Sequence, residues 1–356
     1  MKDLLENKLM RVTIGALVVI ILIIIIIALI VGMGSKKVTE SSLTKAAEAY
    51  YNANSSLLPK NNYDSVSVSL ATLISTGYIS DKVSYTCPAY VTVTNVNGLY
   101  YYSPIFACDN DGTTSSTLVS KLLANRVTSG SGLYYMNGAY VFRGENPNNY
   151  VKFAESLWRI IGLDANGNIK MIYNDLYLEY QPWDDRYNKE TDSQNGINEF
   201  LGNEKSRIKE YLDNFFTTDV NMERFNPARI SRTTTHTACV GKLNLENGIT
   251  NSCDKTLGNQ RFSAITVQDY VNASLDNNCS INSTVTCQNY NFLNLSGWTA
   301  NAYAGNTYSA YYIDNDEGIQ LSDAFISRAI RPIVALKSDV LYYSGSGTLA
   351  DPYMIR

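Results

Sequence analysis

The stretch SLWRIIGLDANGNIKMIY, from Ser156 to Tyr173, decides the fold of the second half of this chain. Two runs of mostly apolar residues, Ser156–Leu163 and Ile169–Tyr173, flank the segment DANGN at 164–168. Clusters of Asp, Asn and Gly between β-prone runs form the tight turns of hairpins. We therefore predict a β-hairpin across the whole stretch.

Further strands are predicted on both sides of this hairpin. The segment YYMNGAYV, from Tyr134 to Val141, places an Asn-Gly turn between two β-prone runs. Near the end of the chain, strands are predicted at Ala310–Ile313 and Ala329–Leu336, with a turn at Asp314–Gly318 after the first of them. This half of the chain is thus expected to contain a loop-rich antiparallel sheet.

Two helices are predicted in the same half. The sequence TVQDYVNASL begins at Thr266, and Asp269 three residues later has the spacing of a capping box. The other helix is predicted from apolar residues that fall on one stripe at helical spacing. These residues are Ile197, Phe200, Leu201, Ile208, Tyr211, Leu212 and Phe215.

The first half predicts a helix followed by a small sheet. Apolar residues recur at helical spacing from Val38 to Leu57, and a shorter helix is predicted at Ser67–Ser75. The β-prone runs Tyr90–Thr94 and Leu99–Tyr102 are separated by a turn that contains Asn-Gly at 97–98. The residues from Asp109 to Gly132 are rich in Asp, Ser, Thr and Gly, with a short apolar patch at Leu118–Leu123, which predicts a linker carrying one or two helical turns.

Before these elements the chain is uncharged from Val12 to Val31. At about 1.5 Å per residue, a helix of this length spans roughly 30 Å, the thickness of the hydrocarbon core of a bilayer. The run predicts a signal anchor, with a cleaved signal peptide or a buried helix as alternatives. Lysines flank it on both sides, so the positive-inside rule does not decide its orientation.

All six cysteines follow the anchor. Taken in order they form three local pairs, Cys87 with Cys108, Cys239 with Cys253, and Cys279 with Cys287. An even number in an anchored ectodomain predicts disulfides and an oxidising compartment, although free buried thiols and other pairings remain open. The cysteines therefore place the C-terminal part outside the cell. A zinc site is not expected, because the spacing is unsuitable and His236 is the single histidine.

The composition argues against nucleic-acid binding. The net charge is −4 at pH 7, and no basic cluster exists beyond the lysines beside the apolar run. Charged residues make up 17% of the chain, below the roughly 25% of a typical domain. We expect Asn, Ser, Thr and Tyr to supply the surface polarity, as they do in antibody paratopes.

The segment WTANAYAGNTYSAYYIDND, from Trp298 to Asp316, is the predicted ligand-binding site. It alternates aromatic with small polar residues, which suits contact with a sugar or a protein. The alternative is that its aromatic residues are half-buried strand residues. Arg328 and Arg331 are expected to hold a loop by hydrogen bonds to carbonyls. The predicted ligand-binding residues are Trp298, Tyr303, Tyr311, Tyr312 and Asp314.

No catalytic residues, metal or cofactor are predicted. A nucleophilic pair of His236 with Cys239 is conceivable, but a loop histidine beside a disulfide is the favoured interpretation. The acidic turns Asp109–Asp111 and Asp314–Glu317 offer oxygen ligands for calcium, yet neither has the final glutamate of an EF-hand. We interpret both as solvated turns.

The first 110 residues resemble a type IV pilin or a type II secretion pseudopilin. The resemblance is carried by the long N-terminal helix, by VSLATLISTGYIS at Val68–Ser80, and by the tyrosine-rich strand that ends at Cys108. It implies a helix half in the membrane and a small disulfide-closed sheet. No prepilin-peptidase motif precedes Val12, so the resemblance implies a stalk rather than a processed pilus subunit.

Residues from Leu133 onward resemble a family of bacterial surface domains of unassigned function. The matching motifs are YVKFAESLWRIIG at Tyr150–Gly162, Trp298, Asp316-Glu317-Gly318, Arg331-Pro332 and the tail GSGTLADPY at Gly345–Tyr353. A more distant similarity is to the C-type lectin-like fold of formylglycine-generating enzymes. It implies two helices packed on a twisted sheet.

Together these observations predict an α+β protein in which a transmembrane helix continues into a pilin-like helix. The expected organisation is a cytoplasmic tail (1–11), an anchor (12–32), a pilin-like stalk (33–110), a linker (111–131) and a lectin-like domain (132–356). The expected function is non-catalytic recognition or adhesion at the surface of a Gram-positive bacterium, through a glycan or protein ligand. The alternatives are a minor pilin or pseudopilin and an extracellular enzyme of the formylglycine-generating type.

Overall fold

A computed structural model of the chain describes residues 36–84, 87–108, 115–217, 224–245 and 255–356. The predicted tail (1–11) and anchor (12–32) lie outside these residues, as do the acidic turn at 109–111 and Cys253. Among the helices that the structure describes, none is both long enough and apolar enough to cross a membrane.

Nineteen strands and six α-helices are formed by the described residues. The strands are β1 (Lys36–Lys37), β2 (Ser65–Ser69), β3 (Val83–Ser84), β4 (Ala89–Val96), β5 (Leu99–Phe106), β6 (Gly132–Met136), β7 (Ala139–Arg143), β8 (Tyr150–Phe153), β9 (Ser156–Leu163), β10 (Ile169–Tyr173), β11 (Leu178–Pro182), β12 (Thr233–Thr234), β13 (Gly297–Ala302), β14 (Ser309–Asp314), β15 (Gly318–Asp323), β16 (Ser327–Ile330), β17 (Ile333–Leu336), β18 (Tyr342–Ser344) and β19 (Tyr353–Ile355). The helices are α1 (Glu40–Ala53), α2 (Leu70–Ser75), α3 (Leu118–Ala124), α4 (Arg207–Asp213), α5 (Pro227–Ile230) and α6 (Val267–Ala273).

The hairpin predicted at 156–173 is confirmed, and it lies in the middle of the largest sheet. Strands β9 and β10 pair in antiparallel fashion, with Leu163 opposite Ile169. The order of this nine-stranded sheet is β12-β17-β10-β9-β8-β19-β18, and the β6–β7 hairpin joins it at β9. Strand β19 pairs parallel to β8, with Tyr353 opposite Val151. Smaller sheets are formed by β13-β14-β15, β11-β16, β2-β4-β5 and β1-β3.

The predicted α+β class is wrong, because strand dominates the described residues. They contain 36% strand and 16% helix. Four of the six helices have seven residues or more, and the longest, α1, has 14. Strand β17 is buried along its whole length, which is typical of a strand covered on both faces. The protein is therefore built on sheets, with short helices between them.

The prediction that α1 continues the transmembrane helix is wrong, because α1 begins at its own capping box. Lys36 and Lys37 form the short strand β1, which pairs with β3. Thr39 is extended, and its side chain accepts a hydrogen bond from the N–H of Ser42, whose own hydroxyl lies 2.9 Å from the N–H of Thr39. These reciprocal bonds satisfy free N–H groups of a first turn, so the helix starts here.

The prediction of one long amphipathic helix from Ile197 to Phe215 is also wrong, because the only helix in this segment is the short α4 (Arg207–Asp213). Phe200 is buried, but it lies in an irregular segment before Gly202 rather than on a helix. Ser206 then caps α4, accepting a hydrogen bond from the N–H of Lys209 at 3.3 Å. Four of the seven residues on the predicted stripe are buried, but they belong to two different segments: Phe200, Ile208, Leu212 and Phe215.

Three local predictions are confirmed by backbone geometry. Asn97-Gly98 and Asn137-Gly138 all have positive φ, from 52° to 85°, and each pair joins two antiparallel strands. This is the conformation that a two-residue type I′ hairpin turn requires. Thr266 and Asp269 form the expected capping box at the start of α6. The predicted strand 329–336 is instead divided into β16 and β17 at Pro332, which has no N–H to donate to a ladder.

The described residues contain two hydrophobic cores. One belongs to a first unit (36–108), in which α1 and α2 cover the β2-β4-β5 sheet. The other belongs to a second unit (115–356) and contains the three tryptophans, Trp158, Trp183 and Trp298. Leu118 and Leu122 of α3 are buried in this second core. The linker predicted at 111–131 thus needs correction, since residues 118–124 belong to the second unit.

The two units contact each other through Tyr63. Its ring lies edge-on to Phe216 of the second core, with ring centroids 5.6 Å apart. Its carbonyl accepts a hydrogen bond from Nη2 of Arg261 at 2.7 Å. Tyr63 has a φ of 64°, which is uncommon for a residue with a bulky side chain. Contacts from both units fix this unfavourable backbone conformation.

Several asparagines are buried and hold loops together. Nδ2 of Asn198 lies 2.9 Å from each of three carbonyl oxygens, those of Tyr303, Asn306 and Ser309. Asn301 donates to the carbonyls of Cys239 and Gly241, both at 3.0 Å. These asparagines therefore satisfy buried backbone groups and do not contribute to the polar surface that the composition predicts.

Two of the predicted disulfides are confirmed. Cys87 pairs with Cys108 at a Cα–Cα distance of 5.5 Å, and Cys279 pairs with Cys287 at 4.7 Å. Cys239 is disulfide-bonded as well, and its predicted partner Cys253 is not among the described residues. The disulfides are consistent with an extracellular protein.

Candidate functional site

The five predicted ligand-binding residues do not share one surface. Trp298 and Tyr311 are buried in the second core, with 1% and 2% of their surface exposed. Tyr303 packs against Tyr311 with ring centroids 6.1 Å apart. The hydroxyl of Tyr311 accepts a hydrogen bond from the N–H of Leu245 at 3.2 Å. These three aromatic side chains therefore pack and bond within the protein.

Tyr312 is half-buried and stacks with a cation. The guanidinium carbon of Arg328 lies 3.3 Å from the centroid of the Tyr312 ring, and that ring is edge-on to Trp298 at 6.0 Å. Arg328 was expected to bind carbonyls, but it donates to the hydroxyl of Ser322 at 3.2 Å. Arg331 does bind carbonyls as predicted, including that of Asp175 at 2.8 Å.

Asp314 stabilises the turn between β14 and β15. Its Oδ1 accepts hydrogen bonds from the N–H groups of Asp316 at 2.9 Å and Glu317 at 3.2 Å. This is the ordinary role of an aspartate that begins a turn. Among the described residues, no group of three or more His, Cys, Asp or Glu side chains could hold a metal ion.

His236 forms a buried pair with a serine rather than with a cysteine. Its Nε2 lies 2.9 Å from Oγ of Ser263, and the two residues are 4% and 0% exposed. Burial lowers the pKa of His236 to about 3, and the nearby cation of Lys170 adds to the effect. The imidazole is therefore neutral at pH 7, but a substrate cannot reach the serine. We interpret the pair as structural.

A cleft of about 400 Å³ is a more suitable site for a ligand. We call it the cationic cleft. Polar side chains at the cleft are those of Lys121, Asn125, Arg126, Ser131, Asn148 and Ser346. Its apolar part is formed by Leu122, Leu133, Phe142 and Tyr353. A few polar groups around an apolar floor, within 300–1,000 Å³, are typical of small-molecule sites.

Helix α3 and the loop after it form one wall of the cleft. Thr117 caps this helix by accepting a hydrogen bond from the N–H of Ser120 at 3.1 Å. Leu118 and Leu122 point into the core, so Lys121 lies toward the edge of the buried face. The N–H of Val127 then bonds to the carbonyl of Leu133 at 3.0 Å, which joins the loop to β6.

The glycine-rich tail forms the opposite wall. Gly347 has a φ of 81°, and a Cβ atom there would lie 2.4 Å from the ring of Tyr353. Only glycine allows the tail to approach this ring so closely. The N–H of Ser346 bonds to Oδ2 of Asp351 at 2.8 Å, which fixes Ser346 at the cleft. Burial raises the pKa of Tyr353, and its hydroxyl forms a hydrogen bond with the side chain of Asn125.

The electrostatics of the cleft favour a ligand with negative charge. Lys121 and Arg126 line it, and none of the described lining residues carries a carboxylate. Nζ of Lys121 lies 5.3 Å from the ring centroid of Tyr342, and the Arg126 guanidinium lies 6.0 Å from that of Tyr140. Neither cation forms an ion pair with another described residue. Both charges are therefore available to a ligand.

No protein-family model, no curated protein and no solved structure matches this chain. The resemblances to pilins and to lectin-like surface domains therefore remain hypotheses that depend on the quoted motifs.

The cationic cleft is not predicted from the sequence, because LVSKLLANR, residues 118–126, resembles a linker with one or two helical turns. A signal was present in this segment. Leu118 and Leu122 are four residues apart, as on the buried face of a helix, and Lys121 and Arg126 are its only charged residues. What the segment could not reveal is that the tail around Ser346, more than 200 residues later, lies opposite it.

Proposed function

We propose that the protein is a membrane-anchored, extracellular binding protein without catalytic activity. The apolar run Val12–Val31 would anchor it, with the N-terminus in the cytoplasm and both disulfide-bonded units outside. The cationic cleft would hold one anionic group of a polar ligand, such as the carboxylate of an acidic sugar at the end of a glycan. The observation that carries this proposal is the pair of cations, Lys121 and Arg126, which form no ion pair with a carboxylate in the part of the chain that the structure describes.

The size and lining of the cleft favour a sugar over a larger ligand. A volume of about 400 Å³ accommodates one or two sugar rings. The amides of Asn125 and Asn148 and the hydroxyls of Ser131 and Ser346 can both donate and accept, as recognition of sugar hydroxyls requires.

The same lining favours binding over catalysis. The described lining residues include no His, Asp, Glu or Cys. The carboxylate of Asp351 next to Ser346 accepts from its backbone N–H, whereas the Ser346 hydroxyl lies 3.5 Å from the backbone carbonyl of Asp351, so this carboxylate is not placed as a base for the hydroxyl. The buried pair of His236 and Ser263 is not part of the cleft. An enzyme of the formylglycine-generating type would need redox-active cysteines at its site. Cys279 and Cys287 form a disulfide and do not line the cationic cleft.

A glycan array tests the proposal. We expect the full chain in detergent to bind glycans that end in an acidic sugar, and not their neutral counterparts. Replacing Lys121 and Arg126 together by Ala should weaken binding by a factor of about 100, since two charge-assisted hydrogen bonds contribute about 1.5 kcal/mol each. Lys152→Ala, which removes an exposed lysine outside the cleft, is the matched control. Binding that is equal for acidic and neutral glycans, or unaffected by the double substitution, would refute the proposal.

A second candidate function is that of a subunit in a surface assembly. Strand β5 is an edge of the β2-β4-β5 sheet, and it exposes Leu99, Tyr100 and Tyr101 to solvent. Exposed apolar edge strands can pair with a strand of another chain. Sedimentation of the full chain in detergent should then show a concentration-dependent oligomer, which Tyr101→Lys abolishes. A monomer at all concentrations would argue against this function.

A further inference from the structure

A second cavity, of about 200 Å³, lies between the two units, and buried cations line it. From the first unit, Tyr63, Asp64 and Ser65 contribute to its wall. From the second unit, Thr233, Thr234 and Thr235 do so, together with Arg261 and Lys337. A space of this size is large enough for one small ion with a few water molecules.

The charges around this cavity are not balanced. Only 9% of the Arg261 side chain is exposed, and its Nη2 lies 3.9 Å from Oδ1 of Asp64, the longest ion-pair distance that the structure describes. Asp64 is 42% exposed and also accepts a hydrogen bond from Asn61 at 2.8 Å. Two cations thus face one distant, partly solvated carboxylate. Asp339 is also near Lys337, but it is exposed and does not line the cavity.

The hydrogen bonds orient both cations toward the cavity. Nη1 of Arg261 donates to Oγ1 of Thr233 at 2.5 Å, and its Nη2 donates to the carbonyl of Tyr63 at 2.7 Å. Nζ of Lys337 donates to Oγ of Ser65 in the first unit. An ammonium group carries three donors, so two remain. Burial lowers the pKa values of Lys337 and Arg261, as expected for cations that lack a close anion.

We propose that this cavity binds a small inorganic oxyanion, such as phosphate or sulfate, and that the anion joins the two units. The oxyanion would accept hydrogen bonds from Nζ of Lys337 and from the hydroxyls of Thr234 and Thr235, and it would supply the charge that Asp64 provides only at a distance. Because Ser65 and Tyr63 bond to the same two cations, the anion stabilises the contact between the units. This inference does not depend on the proposed glycan site.

The probe is inorganic phosphate, added to the full chain in detergent at pH 7.5. Thermal unfolding is followed by the fluorescence of the three tryptophans, all of which lie in the second unit. We expect the melting temperature to rise with phosphate concentration and to saturate, as mass action requires for a ligand of the folded state. Potassium chloride at matched ionic strength should produce no saturable rise.

Three variants locate the anion. Lys337→Met should abolish the response, whereas Lys121→Ala combined with Arg126→Ala should retain it, because that pair lies in the cationic cleft. Asp64→Asn removes the competing carboxylate, so it should lower the half-saturating phosphate concentration about threefold or more. This variant keeps the inference testable if Lys337→Met does not fold. No response beyond that to chloride, an undiminished response in a folded Lys337→Met variant, or unchanged affinity in Asp64→Asn would overturn the inference.

Discussion

The buried His236, the single histidine of the chain, predicts how the stability of the second unit depends on pH. Below its unperturbed pKa of about 6.5, His236 is protonated in the unfolded chain. In the folded protein burial lowers this pKa to about 3, so the imidazole stays neutral. Between these values the unfolded state binds one more proton than the folded state. The contribution of His236 to the free energy of unfolding is therefore fully present above pH 6.5 and is lost progressively as the pH falls toward 3.

The size of the effect follows from the two pKa values. Each pH unit below about 6.5 costs about 1.4 kcal/mol while the folded imidazole remains neutral. Lowering the pH from 7.5 to 5.0 should thus reduce the free energy of unfolding of the second unit by about 2 kcal/mol. Most carboxylates stay ionised over this range, so their contribution is small.

Urea denaturation measures the change, with tryptophan fluorescence reporting the second unit. His236→Gln is the matched control, because its amide can still bond to Ser263 but cannot be protonated. We expect this variant to be less stable at pH 7.5 and to lose less than about 0.5 kcal/mol on going to pH 5.0. If the wild-type protein is equally stable at both pH values, His236 is accessible to protons in the folded state and its assignment as a buried structural residue is wrong.

Three further predictions concern stability. Replacing Cys87 and Cys108 by Ala should cost the first unit about 3 kcal/mol by the chain-entropy model, measured by urea denaturation followed by circular dichroism; a loss seen equally in tryptophan fluorescence would show that the two units unfold together. Asn198→Ala should cost about 2–3 kcal/mol in tryptophan-monitored denaturation, because it leaves buried carbonyls without a donor. Tyr312→Ala should cost about 2 kcal/mol by the same measurement through lost packing and the lost contact with Arg328; an unchanged stability would restore this residue as a candidate for ligand contact.

The sequence alone predicts the local structure correctly where a short segment determines its own backbone geometry. Asn137-Gly138 fixes a turn because its two residues tolerate positive φ, and Thr266 with Asp269 starts α6 through bonds that span three residues. The apolar runs of β9 and β10 carry the same local information. Each of these features can be recognised without knowledge of the surrounding fold.

Elsewhere tertiary contacts override the local pattern. Phe200 matches a helical stripe, but the loop around it is held by Asn198, which bonds to carbonyls more than 100 residues away. The aromatic residues near Trp298 are compatible with an exposed binding surface, yet Trp298 and Tyr311 are buried and the other three are half-buried. The cationic cleft joins α3 to the tail at Ser346, and no spacing rule relates segments so distant.

The position of β19 also determines when the second unit can fold. This strand lies between β8 and β18, and residue 353 pairs with residue 151. During synthesis, at about 5–20 residues per second, β8 must therefore wait at least ten seconds for its neighbour. Until then the large sheet is incomplete, and contacts so distant in sequence also form slowly. A large sheet that completes late leaves time for a chain to pass through a membrane channel, so this topology is compatible with the proposed export before folding.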